Sequence, residues 1–185
     1  RNTSAALVRG VAAKIQELGY PLAGFDAYVT SSVLSGSGLS SSAAYEILMG
    51  NIINHFCCGG ALDPIALAKI GQYAENVYFG KPSGLLDQLT SAVGGIIFAD
   101  FADPRTPKIE KLHADGLLPE GMFLCVTDTR GSHSELTSEF AAIRQEMEQI
   151  AAFLGKKVLG QVTESAFWAA LPALRKACGD RAVLR

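Results

Sequence analysis

The run "SGSGLSSSAAYE", from Ser35 to Glu46, sets two glycines and three consecutive serines ahead of a segment with apolar groups at helical spacing. Such a run can do phosphate chemistry. Glycines let the backbone approach a ligand closely, and a helix N-terminus points its free amides and positive dipole end at an anion. The same residues also make an ordinary helix start, with Ser40 or Ser41 as the N-cap. Neither general nucleotide motif fits. The Walker pattern needs a lysine after its last glycine, where Leu39 stands, and G-x-G-x-x-G fails because Ser41 occupies the third glycine position. On the loop alone, phosphate cradle and capped helix both stand.

The other reactive side chains narrow the choice little. His55 and His113 have no acid or cysteine at ligand spacing, and His133 in "GSHSE" precedes a long helical pattern, so none of the three is assigned a role. Cys57, Cys58, Cys125 and Cys178 form no C-x-x-C pair and read as free thiols in a reducing compartment. Taken singly, Glu75 and Asp87 read as solvated surface carboxylates.

Bulk properties exclude some partners. A chain of 185 residues with 49% hydrophobic content can bury a core, and a net charge of −2 offers no basic surplus for nucleic acid or an anionic membrane. No apolar stretch approaches the roughly 20 residues of a membrane span, and the first residues lack a long hydrophobic signal region. A cytoplasmic location is the default expectation.

The elements that would position these residues follow from periodicity. Leu7, Val11, Ile15 and Leu18 predict an amphipathic helix over residues 3 to 18, and the alternation in "FDAYVTSSV" predicts a half-buried strand. After the glycine–serine loop, Ala44, Ile47, Leu48, Ile52 and Phe56 predict a helix. Asp63 and Pro64 cap another, which ends near Gly80, and Ser83 is expected to cap a helix from Gly84 to Val93. "IIFADF" and "PKIEKL" read as strands around a turn at Asp103 and Pro104, and "MFLCVTDT" as a further strand. From Leu136 to Leu154 the apolar steps of four and three mark a long helix. Two glycines and a proline in "DGLLPEG" place a domain boundary near Gly121, and the irregular mixture of strands and helices predicts an α+β fold.

The loop from Leu34 to Ala44 resembles the second signature of the GHMP family of small-molecule kinases, P-x-x-x-G-L-S-S-S-A-S, which wraps nucleotide phosphates. A second run, "AENVYFGKPSGLLDQLTSAVGG" from Ala74 to Gly95, is similar to the galactokinase branch of that family. It has the glutamate, the Gly-x-x-Asp-Gln turn, and the twelve-residue separation of Glu75 from Asp87. A weaker match, "VTDTRGSHSELTSEFAAIRQEM", is similar to the strand and helix that open the branch's second domain. The resemblance runs from about Val8 to Met147.

The resemblance implies an ATP-dependent kinase acting on the anomeric hydroxyl of galactose or a related sugar. Residues 1 to 120 would be the rear part of a ribosomal-protein-S5-like N-terminal domain. Residues 121 to 185 would begin a ferredoxin-like C-terminal domain. Gly36, Ser37, Gly38, Leu39, Ser40, Ser41 and Ser42 would line the ATP phosphates. Ser42 and Glu75 would hold Mg²⁺, for which a carboxylate offers the hard oxygen it prefers. Asp87 would be the general base, and Gly84, Asp87 and Phe140 would face the sugar.

Three positions depart from the pattern: Leu34 replaces a proline, Ser83 a cysteine, and Phe140 a tyrosine whose hydroxyl meets the sugar. Losing that hydrogen bond costs about 1 to 3 kcal/mol if it leaves a buried group unpaired. The acceptor could therefore be a sugar acid, an amino sugar, arabinose or mevalonate. A non-catalytic sugar- and ATP-binding regulator built on the same scaffold is the alternative from another class. The family's first signature, with its G-E-H-T-D-Y run, and its glycine-rich third signature do not occur in these residues. The 185 residues are accordingly expected to be a part of a longer kinase or a natural remnant, inactive alone.

Overall fold

The computed structural model describes residues 3–33, 38–103, 105–113, 119–123, 125–127 and 137–185. Helix α1 spans Ser4–Glu17 and starts where expected, with the Thr3 hydroxyl accepting the amide of Ala6 at 3.2 Å. Helix α2 is Ser41–Cys57, and α3 is Pro64–Tyr73 with Asp63 as its N-cap, the carboxylate taking the Ala66 amide at 2.8 Å. Proline suits the first turn because the amide it lacks has no partner there anyway.

Helix α3 then widens into a π-helical turn over Ala74–Phe79, closed by Gly80 at φ 95°. Helix α4 covers Leu86–Val93. Strands β1 (Ile96–Asp100) and β2 (Lys108–Leu112) pair as a two-stranded sheet. In their connection Asp103 accepts from the Arg105 amide at 3.0 Å and the Thr106 hydroxyl at 2.6 Å. Helices α5 (Thr137–Phe153), α6 (Glu164–Cys178) and α7 (Asp180–Leu184) follow. This mixture of helices and a small sheet is consistent with the α+β class.

The chain divides into two compact units, residues 1–97 with 111–135 and residues 98–110 with 136–185. The first is centred on α1, α2 and α3, whose Val11, Ile15, Ile47, Ile53, Leu67 and Ile70 form one buried cluster. Gly10 makes its tightest contact possible: a Cβ there would stand 2.6 Å from the Ala74 Cβ, so α1 lies directly on the π-helical turn. A smaller cluster of Ile150, Leu174 and Ala182 organises the second unit.

Three expectations are corrected. "FDAYVTSSV" forms no strand and is largely exposed, with Tyr28 at 95%. A strand is stabilised by a neighbour's hydrogen bonds, and no described segment pairs with this one. The described residues of "MFLCVTDT", 122–123 and 125–127, likewise belong to no strand. Ser83 does not cap α4, whose N-cap is Leu85; the Ser83 amide and hydroxyl both go to Asn76 Oδ1, at 2.7 and 3.2 Å, tying the loop to the π-helical turn instead. Among the described helices none is long and apolar enough to cross a membrane.

Candidate active site

The glycine–serine loop enters α2 through an uncommon backbone. Gly38 has φ 78°, and Ser40 has φ 59° and ψ 39°, the one positive φ of a non-glycine residue among the described residues. Ser40 occupies the N-cap position yet makes no side-chain cap bond, so the simple capped-helix reading is not what this serine does. A left-handed non-glycine residue costs on the order of 1–3 kcal/mol and tends to mark functional turns. Leu39 is exposed, and Ser41 begins the helix half-buried. Gly36 and Ser37 lie outside the described residues.

At the second residue of α2, the Ser42 hydroxyl donates to Glu75 Oε1 at 2.8 Å. Glu75 sits on the π-helical turn, only 2% exposed, and the wide turn is held together by its carbonyl, which accepts the amides of Gly80 at 2.9 Å and Lys81 at 3.1 Å. The Lys81 ammonium lies 3.0 Å from the same Oε1. The other oxygen, Oε2, accepts from Gln88 Nε2 at 2.9 Å, and the same nitrogen donates to Glu46 Oε2 at 3.0 Å. One amide thus straps together α2, the π-helical turn and α4. Gly71 leaves the room for it, since a Cβ there would come within 3.2 Å of both Gln88 Cγ and Glu46 Oε2.

The two glutamates are driven in opposite directions. Burial pushes the Glu46 carboxyl up to about 8, helped by the Glu75 charge, while the Gln88 hydrogen bond and Lys81 pull against it. Burial would raise Glu75 as well, but the nearby Ser83 side chain, the Ser42 hydroxyl and the Lys81 ammonium together outweigh burial and hold it below the usual carboxylate range. Glu75 is the ionised member of the pair.

Asp87 lies in the first turn of α4, exposed, and is the chain neighbour of fully buried Gln88. Its position is therefore set by the residue beside it, which is fixed to both glutamates. Gly84 is exposed, with open space where a side chain would be. Phe140 is in α5 of the second unit, 39% exposed. The structure thus joins Ser42 and Glu75 directly and links Asp87 to them through Gln88.

Glu46, Gln88 and Lys81 are site residues that sequence reasoning passed over. A signal for the first existed: the buried positions of α2 include Ala43, Glu46, Ile47, Gly50 and Ile53, so a carboxylate stands inside an apolar stripe. A charged residue there needs partners, which points to a polar cluster. Gln88 and Lys81 carry no comparable periodic signal.

Ser42 and Glu75 suit magnesium by chemistry: one carboxylate and one hydroxyl, both hard oxygens, with a positive charge already drawn to Oε1 by the buried carboxylate. Among the described residues no group of three or more histidines, cysteines and acids could hold a metal ion. A sparse protein ligand set of this kind is what magnesium tolerates when phosphate and water complete its shell.

The site thus sets a serine at the head of α2 against a buried carboxylate on the π-helical turn, with an aspartate next in the chain to the amide that binds that carboxylate. Residues 6–95 match the GHMP kinases N terminal domain. More particularly, the chain is similar to curated galactokinases. It is 40% identical to the galactokinase of Streptomyces coelicolor over 165 residues, 89% of this chain and 42% of that protein. It is 39% identical to the one of Glaesserella parasuis over 164 residues, 86% and 41%. It is 33% identical to the one of Thermotoga petrophila over 157 residues, 85% and 44%. The chain spans well under half the length of these relatives.

Proposed function

We propose that the chain is part of a galactokinase-like sugar kinase, transferring the γ-phosphoryl group of ATP to the anomeric hydroxyl of galactose or a related sugar. The observation that carries this reading is the convergence of Ser42 at the head of α2, Glu75 on the π-helical turn and Gln88 beside Asp87. In the proposal, residues 36–42 face the ATP phosphates, Ser42 and Glu75 hold Mg²⁺, and Asp87 takes the proton of the attacking hydroxyl, with Gly84 beside it. Magnesium, when bound, supplies charge neutralisation on the transferring phosphate.

Positioning of the aspartate is what the structure supports best. Its exposed carboxylate stands in the first turn of α4, open to an incoming hydroxyl, beside the fixed Gln88. We assign residues 1 to 120 to the S5-like N-terminal domain and 121 to 185 to the start of the ferredoxin-like domain. Phe140 favours a second reading within the same class, an acceptor other than galactose, because it brings no hydroxyl to the sugar.

The test is an ADP-release assay over a panel of sugars, sugar acids and mevalonate, on the protein expressed from its complete reading frame. Galactose-dependent turnover is expected. Asp87→Asn should lower kcat at least about 100-fold, the usual contribution of a general base, with MgATP binding retained. Undiminished turnover in that variant would sink the base assignment.

A further inference from the structure

Glu75 presents its two oxygens to different surroundings. Oε2 faces inward and is fixed by Gln88 at 2.9 Å, from a side chain with no exposure at all. Oε1 takes both the Ser42 hydroxyl at 2.8 Å and the Lys81 ammonium at 3.0 Å. A carboxylate oxygen has two lone-pair directions, and here both are used. The lysine approaches from the solvent side, its side chain 36% exposed against 2% for the glutamate. It cannot stray far, because its own amide donates to the Glu75 carbonyl at 3.1 Å and left-handed Gly80 turns the chain back over the π-helical turn.

We propose that Lys81 is a displaceable counter-cation: it holds Glu75 Oε1 in the metal-free protein, yields that oxygen to a divalent cation, and then pairs with the phosphate the cation accompanies. The proposal rests on the reading of Ser42 and Glu75 as the metal-holding pair. With Oε2 turned to the fully buried Gln88, the oxygen on the side of the part-exposed lysine is Oε1, where a metal must take a direction that Ser42 or Lys81 now occupies. The lysine is the partner that can leave. Its ammonium is a hydrated point charge on a flexible four-carbon stem, and a part-exposed ion pair contributes little, so a divalent cation outcompetes it. The ammonium it displaces remains tethered within reach of an incoming anion.

The measurement is a Mn²⁺ titration by electron paramagnetic resonance, beside MgATP binding by calorimetry, on the protein from its complete reading frame. Lys81→Met should bind Mn²⁺ alone about two- to five-fold more tightly, the value of a competing part-exposed ion pair, and MgATP more weakly by a similar factor. Lys81→Gln should shift both in the same directions and serves if Lys81→Met does not fold. Opposite shifts for metal and nucleotide are a signature that mere loss of structure cannot produce. Mn²⁺ binding that is unchanged or weaker in both variants, or absent from every form, overturns the proposal. Glu75→Gln separates the two layers. If it abolishes Mn²⁺ binding while the Lys81 variants leave it unchanged, only the counter-cation role falls. If Mn²⁺ binds equally well to Glu75→Gln, the metal reading falls with it.

Discussion

The two compact units treat their charges in opposite ways. In the first, Glu46, Glu75 and Gln88 are at most 2% exposed and share one hydrogen-bonded cluster, while the surrounding helices are lined with Ile, Val and Leu. In the second, Glu139, Glu146, Arg181 and Arg185 form a network of ion pairs whose side chains are 16% to 54% exposed. Burying two carboxylates beside each other is costly, and a well-packed apolar replacement would often be more stable. The first cluster is therefore explained by what it positions. The second is a latch between helix ends, needing no function beyond holding α7 against α5.

The largest effect that would test this contrast is at Gln88. Gln88→Leu keeps the volume but leaves Glu46 Oε2 and Glu75 Oε2 without their donor in a buried site. Leaving a buried acceptor without its donor costs about 1–3 kcal/mol, and more where the acceptor is charged as Glu75 is. Urea unfolding should show a loss of that order; a loss under about 1 kcal/mol, the size expected at the surface, would erase the distinction between the units.

A subtler break comes from pH. Glu46 has its carboxyl raised to about 8 in the folded protein from an ordinary value near 4.5. Its stabilising contribution is complete below pH 4.5 and is lost as pH rises towards 8, because the unfolded chain releases a proton that the folded chain retains. Glu75 is lowered and works the other way: its contribution is complete above its ordinary value and is lost as pH falls through the folded one. In the presence of a chelator, the difference in Tm between Glu46→Gln and the parent should therefore grow in favour of the variant from pH 5 to pH 8. Parallel curves across that range would show that Glu46 is ionised throughout.

What the sequence disclosed divides along the same line. Helices α1, α2, α3 and α5 were legible because each writes its burial as an apolar period, and caps such as Asp63 with Pro64 act within four residues. The strand expected at "FDAYVTSSV" failed because alternation records a preference for a pleated surface, whereas a ladder needs a partner that lies elsewhere in the chain. Ser42, Glu75 and Asp87 were singled out by resemblance to a family, and the structure joins the first two by a hydrogen bond. Their common connection could not be found that way, since it passes through the Gln88 amide to residues 42 and 13 positions away and depends on Gly71 having no side chain. Side-chain hydrogen bonds across such separations leave no period to read.

The smallest effect belongs to the latch. Arg181 reaches Glu139 and Glu146, each at 2.8 Å, and Arg185 adds longer contacts to the same two carboxylates. Each arginine thus backs up the other, and water reaches most of the set. Arg181→Ala should cost no more than about 1 kcal/mol, and 1 M salt should shrink that cost further, because screening acts on exposed pairs within a few ångströms. Urea unfolding at low and high salt measures both. The salt dependence is the sharper discriminator: the Gln88→Leu loss arises where ions do not penetrate and should persist at 1 M salt, while the Arg181→Ala loss should fade. Equal persistence of the two would mean that the latch is as well shielded as the buried cluster, and that exposure is not what separates the units.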